Sequence, residues 1–211
     1  MSTPPTPGKD QAGGPRDPRE TKREEEALPL TIVLDPGHGG HDTGAIGPSG
    51  LMEKDVALDM AVRLRKLLQD RLGVRVLMTR SGDVFVPLPE RSAIANRAKA
   101  DFMISLHVNA ANSRGAVGFE TFYFSREPSD SDARASAQRE NLVIESNGST
   151  GKDLDHLLKT TLADMAVTRD MKESSNLAER ILAALDKILK VDNRGVKSGP
   201  FYVLATAAMP S

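Results

Sequence analysis

Three short apolar runs, Thr31 to Leu34, Val74 to Met78 and Phe102 to Leu106, are separated by two stretches of helical periodicity. This alternation limits the available folds more than any other feature of the chain. The first helical stretch, Leu51 to Leu72, repeats Val56, Met60, Leu64, Leu67 and Leu68 at helical spacing with charged residues between them, and Gly73 ends it. The second, Leu88 to Ala100, carries Arg91, Ile94, Ala95 and Ala98. Strand, helix, strand, helix, strand at this rhythm predicts an α/β fold, a single mostly parallel sheet flanked by helices. With 211 residues, 39% of them apolar and 27% charged, one folded domain of ordinary size is expected.

Composition also restricts the chemistry. Aromatic residues make up 4%, Trp is absent and the net charge is -1, which argues against a nucleic-acid surface. Cysteine is absent, so disulfides and thiolate metal sites are excluded and any metal must be held by His and carboxylates. Residues 1–30 hold six of the thirteen prolines and end in the charged run RETKREEE, and they read as a disordered tail or linker ahead of a domain spanning 31–211. No apolar run is long enough for a signal peptide or a membrane span.

In parallel α/β sheets functional groups gather at the carboxyl ends of the strands. The first apolar run stops in Asp35, Pro36 and Gly37 and delivers His38 into a glycine-rich turn, while the third ends in His107. Glu53, at the start of the long helix, is the natural third member. Two imidazoles and one carboxylate around an open fourth position describe a catalytic zinc site. Each residue alone has a plainer reading: His38 packed or solvated on a turn, Glu53 a solvated helix-start carboxylate. The spacing of the three does not decide between these readings.

The surrounding sequences do. VLDPGHGGHDTGAIG, EKDVALDMAVRL and VLMTRSGDVFVPLPERSAIANRAKADFMISLHVNAA, in this order, resemble the zinc-dependent N-acetylmuramoyl-L-alanine amidases of the Amidase_3 type, the family that includes the cell-division amidases. The resemblance implies that His38, Glu53 and His107 bind Zn2+. Asp35 could orient His38 or brace its loop, and Asn109 could tie down the turn after His107. Arg80, Arg91 and Asn96 match family positions and read as scaffold before substrate contacts. His41 and His156 have no expected chemical role.

Val117 to Phe124 alternates bulky residues and is expected to add a strand. Residues 125–172 exceed a plain connection, and a further helix is expected from Ser174 to Leu189. In the division amidases a comparable insertion lays a helix over the active-site cleft, and a glutamate in an Arg-Glu-Asn context takes the open metal position. The matching residues are Arg139, Glu140 and Asn141, so the resemblance implies Glu140 as an inhibitory fourth ligand and 125–172 as a regulatory insertion. Leu154, Leu157, Leu158, Leu162 and Met165 give the 154–165 helix an apolar face, where the resemblance implies docking of a LytM-type activator; packing on the parent domain explains the pattern equally well. Phe201 to Leu204 reads as a strand. By resemblance, the Pro-Ser at 210–211 precedes a last strand bearing the general-base glutamate and a final helix. The expected base therefore lies beyond Ser211, no catalytic base is assigned within the chain, and weak hydrolysis is expected of these residues alone.

The function so implied is hydrolysis of the amide between N-acetylmuramic acid and the L-alanine of the stem peptide, by a monomeric domain in the periplasm or cell envelope acting on peptidoglycan during wall remodelling and cell separation. The competing reading is a non-catalytic zinc-containing module that grips cell-wall peptides or a divisome partner. A nucleotide-binding glycine loop is poorly supported, because GHGGHDTG is not G-x-G-x-x-G and places a histidine where backbone must approach phosphate.

Overall fold

The computed structural model describes residues 29–109, 117–146 and 165–211. Its elements are β1 (Thr31–Pro36), α1 (Glu53–Leu72), β2 (Arg75–Met78), α2 (Leu88–Arg97), β3 (Phe102–Leu106), β4 (Phe119–Phe124), α3 (Ser131–Ser146), α4 (Met165–Asp186), β5 (Asn193–Gly199) and the single turn α5 (Tyr202–Ala205). Residues 1–28 of the expected 1–30 tail, His156, and residues 154–164 of the proposed docking helix lie outside the described residues.

The fold is mixed α/β with parallel strands flanked by helices. Among the described residues the strands form two hydrogen-bonded sets, β2-β1-β3 and β4-β5, with every pairing parallel. β1 is central and buried along its whole length. Because side chains alternate across a strand, Ile32 and Leu34 pack with Ala61, Val76 and Leu64 beneath α1, while Val33 faces the opposite core with Ala95, Met103, Phe124 and Ala137. Burial on both faces explains why the run TIVL has no polar alternation. α1 ends as expected at Gly73, whose left-handed backbone caps the helix.

Elements of the C-terminal half differ from the sequence reading, α4 among them, which begins at Met165 where a helix was expected from Ser174. Phe201 to Leu204 is not a strand: Tyr202–Ala205 is a helical turn in which the amides of Leu204 and Ala205 both donate to the Phe201 carbonyl. All of Phe201–Ala205 is buried, and a short wholly apolar run does not distinguish a buried strand from a buried turn. The segment NRGVKSG, in contrast, is β5. It carries little apolar signal because Lys197 is held by Glu120, Asp130 and Asp132 rather than by a hydrophobic neighbour.

The C-terminal segment is tied to the sheet and its helices. Met103 N–H donates to the Pro210 carbonyl, Ser211 N–H to Ser174 Oγ, and Asn96 bridges the Thr206 carbonyl and the Ala208 amide. Asn96 is thus in contact with the chain's own backbone. α3 is fastened similarly: the Asn141 amide donates to the Pro200 carbonyl at 2.9 Å and accepts from Tyr202 N–H at 3.0 Å. Ala133, Ser136 and Ala137 form its buried face, and Glu140 and Asn141 continue that face by one turn.

Candidate metal centre

β1 ends at Pro36, and Gly37 N–H extends its ladder by one bond to the Leu106 carbonyl at 2.9 Å, which holds the two strand ends side by side. Gly37 is required by space, since a Cβ there would stand 2.4 Å from His107 Cε1. The next residue, His38, has φ 60, a left-handed conformation unusual for a side-chain-bearing residue. That turn directs a buried His38 ring towards His107, and the two ring centroids are 4.9 Å apart at 77°.

Glu53 is the first residue of α1, where a carboxylate is favoured by the helix dipole. It is only 4% exposed, which rules out the solvated helix-start role. Its Oε2 accepts from Ala45 N–H at 2.9 Å and its Oε1 from Val108 N–H at 2.8 Å, so two loops fix the carboxylate plane. Gly44 makes room for this arrangement, because a Cβ at its φ of +61 would press on His38 Cδ2 and Glu53 Oε2 at 2.6 and 2.8 Å.

Glu140 arrives from α3 on the far side. One ligand atom from each of His38, Glu53, His107 and Glu140 lies within 4.8 Å of all the others. His38 Nε2 stands 3.2 Å from Glu53 Oε2 and 3.6 Å from Glu140 Oε2. His107 Nδ1 stands 3.1 Å from Glu53 Oε1 and 3.2 Å from Glu140 Oε2. A tetrahedral ion with ligand bonds of about 2.0–2.2 Å spaces its donors about 3.3–3.6 Å apart. The separations of 3.1–3.6 Å lie close to that range, with Glu53 turning Oε2 to His38 and Oε1 to His107. His38 Nε2 is also buried with no hydrogen-bond partner among the described residues, an arrangement that is costly unless something else satisfies the atom.

The electrostatics agree with a cation-seeking pocket. Burial pulls the His38 imidazole down, but its bond to Asp42 and the neighbouring Glu53 and Glu140 carboxylates outweigh this and push it up to about 10. His107 is likewise raised, burial being overcome by Glu140 and Glu53. Burial opposes ionisation of Glu53, yet the two imidazoles and the Ala45 amide hold it well below the ordinary carboxylate range. Positive charge is therefore favoured between these four side chains, whether as protons or as a metal ion.

The residue that orients His38 is Asp42. Its Oδ2 lies 3.0 Å from His38 Nδ1, and its Oδ1 accepts from Gly44 N–H at 3.1 Å. With Nδ1–H committed to Asp42, the neutral tautomer leaves the Nε2 lone pair facing Glu53 and Glu140. The sequence reading missed this residue, although a carboxylate four positions beyond His38 in the same glycine loop was an available signal. Asp35 does not reach the His38 ring; its carboxylate accepts from Thr79, Ser105 and Arg91 and braces the loop. Asn109 is exposed, and among the described residues Val108 N–H ties the chain after His107 to Glu53. His41 is exposed and its ring lies tilted against Phe85 with a centroid separation of 4.3 Å. Asp42→Ala is expected to weaken metal binding by about 10–100-fold, with Asp42→Asn intermediate, measured by competition with a chromogenic chelator.

Comparison with known proteins identifies the family. A family model described as N-acetylmuramoyl-L-alanine amidase matches residues 32–211. The chain is 39% identical over 181 residues to N-acetylmuramoyl-L-alanine amidase AmiA of Escherichia coli (strain K12), covering 85% of this chain and 62% of AmiA. It is 35% identical to AmiC of Escherichia coli O6:H1, covering 87% of this chain and 44% of AmiC, so it spans less than two thirds of either relative. Among solved structures, the N-acetylmuramoyl-L-alanine amidase of Clostridium difficile 630 superposes with a TM-score of 0.61 at 26% identity, covering 87% of this chain and 77% of that one. AmiC2 of Nostoc punctiforme gives 0.55 at 31% identity, covering 86% and 76%. With a family model matched over most of its length and the parallel α/β fold of these structures, the chain belongs to the Amidase_3 family of N-acetylmuramoyl-L-alanine amidases.

Proposed function

We propose that this domain is a zinc-dependent peptidoglycan amidase that cleaves the amide between N-acetylmuramic acid and the L-alanine of the stem peptide, and that Glu140 holds it in a closed state. The observation that carries the reading is the convergence of His38, Glu53, His107 and Glu140 around a buried, unpartnered imidazole nitrogen. A donor set of imidazoles and carboxylates without thiolate suits Zn2+. His38, Glu53 and His107 would hold the ion, which when bound supplies Lewis acidity towards a carbonyl oxygen and acidifies water. Asp42 keeps the His38 tautomer, the Ala45 and Val108 amides keep the Glu53 carboxylate in place, and Glu140 fills the side from which substrate must enter.

The wider role follows from the family resemblance and from relatives named as amidases: action on the cell wall during remodelling and cell separation, in the periplasm or cell envelope, by a monomer whose 154–165 helix receives a LytM-type activator. No helix among the described residues is long and apolar enough to cross a membrane.

The test uses the full-length protein on purified sacculi. Release of stem peptides with a free L-alanine amine, abolished by a zinc chelator and restored by zinc, is the expected result. Zinc binding with no peptide release, even after Glu140 is replaced, would favour the non-catalytic cell-wall module.

A further inference from the structure

Beneath the His38 loop lie two buried arginines. Arg91 is 1% exposed and Arg80 3%. Arg91 donates from Nη2 to the His38 carbonyl, from Nη1 to the Pro36 carbonyl and Asp35 Oδ1, and from Nε to the Val86 carbonyl, all at 2.8 Å. Arg80 donates from Nε to Pro36 at 2.9 Å, from Nη2 to Gly37 at 2.7 Å and Lys54 at 2.8 Å, and from Nη1 to Gly82 at 3.1 Å, each time to a carbonyl. The carbonyls of Pro36, Gly37 and His38, three consecutive peptide units, are therefore all held by guanidinium donors.

This arrangement is costly as a plain scaffold. Two cations share a buried site in which Asp35 is ion-paired with Arg91, and burial together with Arg91 makes the Arg80 guanidinium less basic although Asp35, Asp83 and Asp55 oppose this. Apolar packing would hold a loop with less desolvation. What apolar packing cannot do is dictate the direction of successive carbonyls. The peptide flanked by Gly37 and His38 must be turned so that His38 adopts its left-handed φ of 60 while its ring faces Glu53. Planar, forked donors fixed beneath the loop impose that direction.

We infer that Arg91, with Asp35 as its countercharge and Arg80 as a second clamp, is a positioning residue that holds the His38 backbone in the left-handed conformation and thereby sets the metal affinity of the site. The inference rests on the metal-binding reading above, and it concerns affinity and ligand geometry in addition to stability. Arg91 also lines the small cavity beside His38, His107 and Glu140, so a direct substrate contact is the competing role.

The test compares Arg91→Gln and Arg91→Lys with Leu68→Ala, whose side chain packs on the other core beneath α1. Zinc affinity is measured by chelator competition, ligand geometry by the visible absorption of the cobalt-loaded protein, and folding by circular dichroism, all well below each unfolding midpoint. Arg91→Gln is expected to lose about 10–100-fold in zinc affinity and to shift the cobalt bands. Arg91→Lys should not rescue, because one ammonium cannot span acceptors arranged for a fork. Leu68→Ala should lower the midpoint while leaving affinity and spectrum unchanged. Where Arg91→Gln does not fold, the pair-neutralising Asp35→Asn/Arg91→Met variant is read by the same criteria. Folded Arg91 variants with wild-type zinc affinity and cobalt spectrum overturn the inference, and a rise confined to KM for muropeptides would make Arg91 a substrate contact instead. Failure of the wild-type protein to bind zinc would overturn the metal reading itself.

Discussion

His38→Ala is expected to abolish stoichiometric zinc binding and, with it, amide hydrolysis. The variant removes the imidazole whose Nε2 faces both carboxylates at 3.2 and 3.6 Å. The affinity loss should exceed the roughly 10–100-fold typical of residues that act only through a ligand. Stability gives an independent reading. An ion held at about 1,000 times its Kd stabilises a folded domain by about 4 kcal/mol. For a domain of this size each kcal/mol shifts the midpoint by roughly 2–4 °C, so zinc should raise the wild-type Tm by about 8–16 °C. In His38→Ala the midpoint should be indifferent to zinc. A variant that retained one equivalent of zinc and the full thermal increment would remove His38 from the centre.

Glu140→Ala is expected to do the opposite to activity. Glu140 reaches both imidazoles from α3, yet its side chain remains 15% exposed, whereas Glu53 is shielded at 3%. Removing it leaves His38, Glu53 and His107 to retain zinc. If the open arrangement is about 1–10% populated in the wild type, deleting the plug should raise basal hydrolysis by about 10–100-fold in the full-length protein. Glu140→Gln, which keeps the bulk and loses the charge, should fall between. A small zinc-binding anion such as a hydroxamate should bind the Ala variant more tightly than the wild type. Unchanged hydrolysis and unchanged hydroxamate binding in a zinc-loaded variant would dismiss the plug.

Much of the centre was visible in the residues because its local grammar is strong. An apolar run that halts at Asp-Pro-Gly before His38, and another that halts at His107, place both imidazoles at strand ends, and the register of β1 with β3 brings those ends together. Glu53 was legible as the start of α1. Asp42 was less so, because sequence offers it as one more turn residue and only the fold shows its carboxylate on Nδ1. α3 was obscure for a different reason. Its buried face is built from Ala133, Ser136 and Ala137, residues too small and too polar on average to produce a hydrophobic period, so the helix hides in a run that looks like solvated insertion. β5 was hidden by charge: Lys197 and Arg194 are satisfied by Glu120, and a strand stabilised by ion pairs leaves no apolar alternation to read.

The two amides that grip Glu53 come from eight residues before it and fifty-five after it. That span orders events during folding. A nascent chain holding only β1, α1 and β2 has His38 and Glu53 but neither His107 nor the Val108 amide, and it offers an ion two donors on a loosely held loop. The site comes into being when β3 docks against β1, a parallel pairing that closes a long loop and is correspondingly slow. A metal ion held as proposed would then be captured late, on a finished sheet, unlike small zinc domains in which the ion must arrive before any fold exists.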